Sequence, residues 1–200
     1  EANPFPSVCA RVCDHPCETK CRAGTSGGSP VSIRALKRFI TDRTDPSTYK
    51  PVRQRKKHKS EQIAIVGAGP AGLTTAHYLS LKGYKVSVFD AESEPGGMLF
   101  CAIPSYRLPR EIIKNEINSL LDENIDLKLN MTLGKDFSID DLFDQGFKAV
   151  LLAMGSHKSK PLHIKNEDVK GVYPSIEYLK AFNLRNKNYA EGKVGIIGGG

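Results

Sequence analysis

A chain of 200 residues with 40% apolar content forms one medium domain, or a domain with a small appendage, and is not too polar to build a core. No run reaches the roughly 18 apolar residues of a membrane span, and the opening Glu1-Ala2-Asn3-Pro4 lacks the basic-then-apolar order of a secretory signal. The net charge of +7 raises nucleic-acid or membrane binding, but Arg53, Arg55, Lys56, Lys57 and Lys59 crowd beside Pro51 with no aromatic residue between them for base stacking. Such a run is expected to be a solvated linker, with a docking patch for an acidic partner as the alternative.

In chain order, residues 1–49 form a cysteine-rich head followed by one helix. Four of the five cysteines, Cys9, Cys13, Cys17 and Cys21, fall within thirteen residues, and Cys101 stands apart. In a chain without a secretory signal, clustered cysteines favour metal or redox chemistry over disulfides, and so a reducing, cytoplasmic compartment. Val31, Ile33, Leu36, Phe39 and Ile40 make the apolar stripe of the helix, with Pro30 expected in its first turn. Residues 50–60 are the basic linker.

From Glu61 the pattern changes to strands alternating with helices. Strands are expected at Ile63–Val66, Lys85–Asp90, Ile125–Leu129 and Ala149–Met154, the last as a buried strand. Helices are expected at Pro70–Lys82, Leu108–Glu123, Ser138–Asp144 and Pro174–Leu184, the third opened by a Ser-x-x-Asp cap. Lys193–Gly200 reads as a further strand running into Gly198-Gly199-Gly200. This grammar predicts an α/β fold with a mainly parallel sheet covered on both faces. The absence of an initiator Met and the ending inside a glycine turn lead us to expect a fragment of a longer protein.

The most informative stretch is Ile63-Ala-Ile-Val-Gly67-Ala-Gly69-Pro-Ala-Gly72-Leu73. It places G-x-G-x-x-G directly after a strand and at the opening of a helix. Gly67 permits the tight turn, Gly69 lets the backbone approach a pyrophosphate, and Gly72 lets helix and strand pack closely. The helix N-terminus offers unpaired N–H groups to the phosphates, with Pro70, which has no N–H, suited to its first turn. Asp90 ends the next strand, 18 residues after Gly72, where an acid accepts hydrogen bonds from ribose hydroxyls.

The turn Gly-Ala-Gly-Pro-Ala-Gly, followed within thirty residues by Gly96-Gly97-Met98, resembles the FAD site of flavoproteins with two dinucleotide-binding domains. Leu151-Leu-Ala-Met-Gly155 resembles the apolar strand that closes the first half of such FAD domains. The candidate nucleotide-contacting set is therefore Gly67, Gly69, Pro70, Ala71, Gly72, Asp90, Ala91, Gly97, Met98 and Gly155.

Longer strings resemble one family. They are Asn3-Pro-Phe-Pro-Ser-Val-Cys9-Ala-Arg-Val-Cys13 with His15-Pro-Cys17-Glu18 and Cys21, Leu36-Lys-Arg-Phe39, Gly96-Gly-Met-Leu99, and Ile103-Pro-Ser-Tyr-Arg107-Leu-Pro109. The chain resembles the small (beta) subunit of NADPH-dependent glutamate synthase. It is similar too to the N-terminal half of dihydropyrimidine dehydrogenase and the flavin subunit of electron-bifurcating transhydrogenases. The resemblance runs over essentially the whole chain. It implies a helical iron–sulfur domain at 1–49, an FAD domain at 61–192, and the start of an inserted NAD(P)H domain at 193–200. It also implies hydride transfer from NAD(P)H to FAD and single-electron exit through 4Fe–4S clusters to a partner subunit or fused domain. Two departures stand out: Cys101-Ala102 replaces the Tyr-Gly that relatives often carry before Ile-Pro, and the upstream cysteine-rich stretch that some relatives carry is not visible within these 200 residues.

Judged on its own, the spacing C-x3-C-x3-C-x3-C is neither the bacterial ferredoxin run nor the paired C-x2-C of zinc ribbons. On one straight helix Cys9 and Cys21 would stand about 18 Å apart, too far to share a cluster. Pro16 is expected to break such a helix, allowing a compact loop; otherwise the cysteines serve different clusters. The metal-ligand candidates are Cys9, Cys13, Cys17 and Cys21, with Cys9 ranked last because in the relatives its counterpart need not be a ligand. Iron–sulfur, zinc and a vestigial site without metal stay open. The zinc case corresponds to a different function, a dinucleotide-fold binding or assembly module without redox turnover. Cys101, without a neighbouring cysteine, reads as a small apolar residue at the flavin pocket. His15 is a loop residue first and a hydrogen-bond donor to a cluster sulfur second; His58, His77, His157 and His163 show no ligand spacing, and Arg107 is a contact to FAD phosphate or to a cluster domain, or a surface ion pair.

Overall fold

The structure is a computed structural model that describes residues 3–44 and 57–198. Arg53, Arg55 and Lys56 of the basic linker, and Gly199 and Gly200 of the final glycine run, lie outside the described residues.

Four parallel strands, β1 (Gln62–Val66), β2 (Lys85–Phe89), β3 (Ile125–Lys128) and β4 (Ala149–Leu152), form one sheet in the order β3-β2-β1-β4. Val66 stands opposite Phe89 on one side and Leu152 on the other, so the three strands reach the same edge together. Because side chains alternate along a strand, each face buries its own set. Ile65, Val86 and Val88 pack under α5 (Pro70–Leu81) and α7 (Arg110–Leu120) through Leu73, Ala76, Ile113 and Ile117. Ala64, Val66 and Phe89 face Phe137, Leu142 and Phe147, the middle one from α8 (Ile139–Asp144). The predicted parallel sheet with both faces covered is present.

Helix ends are set by local chemistry. Helix α8 opens with a complete capping box: Asp141 N–H donates to Ser138 Oγ at 3.1 Å, and Ser138 N–H donates to the Asp141 carboxylate at 2.7 Å. Helix α7 is shorter than its apolar pattern predicts, because the backbone is extended at Pro109 (ψ 138°) and again at Leu121 (ψ 144°). Helix α9 (Ser175–Arg185) ends at Asn186, whose left-handed φ of 50° is a natural stop.

Several expectations need correction. Strand β4 is an exposed edge, not a buried strand: among the described residues it pairs with β1 alone, and Leu151 and Leu152 are exposed. An apolar run cannot reveal whether a second neighbour covers it. Lys193–Gly198 forms no strand, since no neighbouring backbone meets it among the described residues. Pro30 precedes helix α4 (Ile33–Arg43) instead of entering its first turn, and Ser32 is the N-cap. The stripe of α4 is also only lightly covered, with Phe39 and Ile40 more than half exposed.

The cysteine-rich head folds as three short helices before α4: α1 (Pro6–Val12), α2 (Pro16–Thr19) and α3 (Arg22–Thr25). The chain breaks at His15, held at φ 45°, and resumes at Pro16, as proline at a first turn allows. Helix α1 is fastened to the sheet domain by Glu116 of α7. Glu116 is only 7% exposed, and its carboxylate accepts the amide of Ser7 and, at 3.0 Å, that of Val8. Those amides are unpaired by the helix itself. Arg11 then ties α1 to Asp42 of α4. Among the described residues no helix is long and apolar enough to cross a membrane.

Burial pushes the Glu116 carboxyl above its ordinary 4.5, with the Ser7 and Val8 amides and Arg11 opposing that rise. A carboxyl raised by folding binds its proton more tightly in the native state, so its contribution is full below pH 4.5 and is lost as pH climbs through the folded value. Urea unfolding of wild type and Glu116→Gln across pH 4–8 should therefore show the wild-type advantage shrinking with rising pH. A difference that grows with pH contradicts this account.

Candidate dinucleotide-binding site

The site is built at the C-terminal ends of β1 and β2. Gly67, at φ +112°, leaves β1 so tightly that a Cβ there would lie 2.3 Å from the Ala153 carbonyl oxygen. Its N–H donates to Phe89 O at 2.7 Å, closing the turn onto β2. A Cβ on Gly72 would lie 1.9 Å from Gly67 O, so α5 rests directly on the turn. These two glycines are demanded by backbone packing.

Gly69 is different. It is the N-cap of α5, and a Cβ there would meet only Gly97 Cα, at an ordinary 4.0 Å. The protein's own packing leaves that space free. The wall opposite is Gly97, at φ +54°, where a Cβ would come within 3.0 Å of Gly69 Cα. Gly96 N–H donates to Ala68 O at 2.8 Å and pins this second glycine loop over the first. Two glycines thus face each other where α5 begins at Pro70, and no side chain caps the helix. Pro70 and Ala71 are exposed, while Met98 is half-buried at the start of α6 (Met98–Cys101).

Asp90 extends beyond β2, and its carboxylate turns toward the glycine turn. Oδ2 accepts Ala68 N–H at 2.6 Å and Oδ1 accepts Glu92 N–H at 2.8 Å. An ionised carboxylate has about four acceptor positions, so two remain for hydroxyl groups. Beside it opens a cleft of about 250 Å³ bounded by Gly67, Asp90, Glu92, Met131, Thr132 and Met154, with His157 and Lys180 also in its wall. It lies outside the carboxyl ends of the strands, next to the β1/β4 switch point where open α/β sheets bind ligands. Ala91 is exposed at its rim, and Gly155, at φ +67°, follows Met154 in the open.

Sequence reasoning missed most of this wall. Met131–Leu133 follow β3 with no motif to mark them, and His157 has no ligand spacing in the sequence. The glycine turn at Gly67 and the 18-residue step from Gly72 to Asp90 are the sequence signals that point here. Cys101 is buried at 1% exposure, with its Sγ 3.8 Å from Met98 Sδ, and burial raises its thiol pKa. It is packed as a small apolar residue and is absent from the cleft wall. Arg107 is exposed.

The four clustered cysteines end up on different elements: Cys9 within α1, Cys13 at its C-cap, Cys17 exposed in α2, and Cys21 at the N-cap of α3. Amides point at two of the sulfurs, His15 N–H at Cys13 Sγ and Val31 N–H at Cys21 Sγ, both at 3.4 Å. The Val31 amide, aided by that of Ala23, holds the Cys21 thiol below its ordinary value. Among the described residues, however, no three His, Cys, Asp or Glu side chains converge as a metal site. The helix breaks at Pro16 as expected, and the four cysteines fall on separate elements without gathering into one group among the described residues.

Residues 61–200 match the model of the pyridine nucleotide-disulphide oxidoreductases. The chain belongs to that family. Residues 1–48 match a second model, the 4Fe-4S cluster domain II of dihydropyrimidine dehydrogenase. Within the oxidoreductases the chain falls among NAD(P)H-, FAD- and iron–sulfur-linked members related to the glutamate synthase small subunit, as the sequence strings implied. It is 41% identical over 202 residues to the NADPH-Fe(3+) oxidoreductase subunit beta of Geobacter sulfurreducens, covering 98% of this chain and 30% of that one. It is 36% identical over 210 residues to the glutamate synthase (NADPH) small chain of Bacillus subtilis, covering 100% and 42%. The chain thus spans between about a third and two fifths of these relatives. The solved structure of Mycobacterium tuberculosis FprA in complex with NADPH shares the fold, at a TM-score of 0.55 and 21% identity over 62% of this chain and 29% of that one.

The glycine geometry separates two kinds of position. Gly72→Ala should cost about 2–3 kcal/mol in urea unfolding, because a backbone oxygen must move. Gly69→Ala should cost about 1 kcal/mol or less, a cap-sized effect, because its Cβ enters free space. Equal losses at the two positions would contradict the assignment of Gly69 to ligand space.

Proposed function

We propose that this chain binds FAD across the Gly67–Gly72 turn and belongs to a protein that takes hydride from NAD(P)H. The observation that carries this is the side-chain-free backbone surface that Gly69 and Gly97, packed against each other, present at the uncapped start of α5, with the Asp90 carboxylate bonded to the same turn. The residues fit the cofactor: Gly67, Gly69, Pro70, Ala71, Gly72 and Gly97 bring backbone to the diphosphate, and the uncapped start of α5 turns its dipole toward it. Asp90 and Ala91 would hold the adenosine ribose, and Met98 and Gly155 would approach the flavin. Bound FAD supplies a two-electron acceptor that releases electrons one at a time. The chain's own contribution is position and exclusion of water, and no catalytic acid or base is assigned.

Residues 1–49 form the iron–sulfur part in this proposal, 50–60 the linker, 61–192 the FAD domain and 193–200 the entry to the NAD(P)H domain. The onward path, through 4Fe–4S clusters to a partner subunit, draws on the domain match of residues 1–48 and on the names of the relatives, one of which is called a subunit beta. The separated thiols do not support it by themselves.

The test is anaerobic purification of the full-length protein, with visible spectra before and after NADPH or NADH and analysis for iron, sulfide and zinc. Flavin absorption that bleaches on reduction, together with iron and sulfide, is expected. A colourless protein holding zinc alone would return the chain to the binding-module reading. Gly69→Ala should lower FAD affinity at least about tenfold by fluorescence titration, since a methyl group displaces the phosphate contact.

A further inference from the structure

Helix α9 lies outside the glycine motif, yet two contacts hold it against the site. Lys180 Nζ is ion-paired with Glu92, and both side chains are about four-fifths buried. Three residues on, Asn183 Nδ2 donates to the Cys101 carbonyl at 2.9 Å. Residues three apart share one helix face, so a single face of α9 makes both contacts. Glu92 lies just past Asp90, and Cys101 is the last residue of α6, which opens at Gly97. The helix therefore crosses from the acid at the end of β2 to the second glycine loop.

The charges of the cleft make this crossing significant. Its wall carries two carboxylates, Asp90 and Glu92, and among its described residues Lys180 is the only side chain with a permanent positive charge. A dinucleotide brings a dianionic diphosphate. On the Gly67–Gly72 turn, which shares Gly67 with this cleft, that group would feel the field of the two part-buried carboxylates, a repulsion that a cation offsets. Lys180 sits where it can do so, because the same ammonium that engages Glu92 lines the cleft.

We propose that Lys180 is a cofactor-retaining residue: it neutralises Glu92 at the cleft mouth and gives the FAD diphosphate its cation, with α9 as the strap that carries it. This rests on the FAD assignment above. The pair is more than a pin for α9, and the two roles differ in what each partner's loss does. If Lys180 acts through its charge on the nucleotide, removing Glu92 leaves that charge free for the phosphates, whereas removing Lys180 strands a carboxylate against them.

The experiment uses full-length protein carrying FAD, with dissociation followed as recovery of flavin fluorescence after dilution at low and high salt. Lys180→Met should raise the FAD dissociation constant about tenfold, the scale of a charge-assisted bond, with a weaker salt dependence than wild type. Lys180→Arg should restore most of the affinity, and Glu92→Gln should bind FAD as tightly as wild type or more so. Equal losses in Lys180→Met and Glu92→Gln would reduce the pair to a structural pin and overturn the inference. Unchanged affinity in Lys180→Met would overturn it as well. Wild-type protein that holds no FAD overturns the parent assignment, a result distinct from both.

Discussion

The architecture around the site depends on backbone touching backbone where β1 becomes α5. With Gly72 against the Gly67 carbonyl and Gly67 against that of Ala153, three elements meet without a side chain between them. This contact sets the height of α5 over the sheet, and thereby where its N-terminal amides point. The second glycine loop follows from it, because Gly96 reaches the turn through Ala68 O and brings Gly97 to face Gly69. Asp90 completes the arrangement through Ala68 N–H, so one residue of the turn is held by both neighbours.

A second link joins the cysteine-bearing head to this frame. Glu116 answers amides at the start of α1, and Arg11 carries the connection on to Asp42 in α4. A carboxylate this deeply buried is tolerable because it receives two N–H groups and stands near a guanidinium. The head is therefore oriented by polar contacts as well as by the packing of Phe5 and Val8 into the main core. Such contacts prescribe direction, which apolar packing alone does not.

The sulfurs show where local structure stops short of a metal site. Cys13 and Cys21 each receive an amide, and at Cys21 that contact lowers the thiol below its ordinary value. The helix breaks at His15 and Lys20 turn the cysteines onto separate elements. Three short helices shape this segment without closing it around one centre among the described residues.

The strand–turn–helix at Gly67, the parallel sheet, the capped helix at Ser138 and the family were all legible in sequence, because each rests on local pattern: glycine spacing, alternation of apolar residues, a Ser-x-x-Asp cap. The exposed edge at Leu152, the missing strand after Lys193, the Glu116 contact and the Glu92–Lys180 pair were not. Each depends on which segment lies beside another across some 90 to 110 positions of chain, or on whether any segment lies there. The chain's own order of residues determined where backbone must turn and which residue types could grip a nucleotide. Tertiary structure alone decided which charges line the cleft and on which elements the thiols fall, because burial and proximity are properties of the packed molecule and have no period in the sequence.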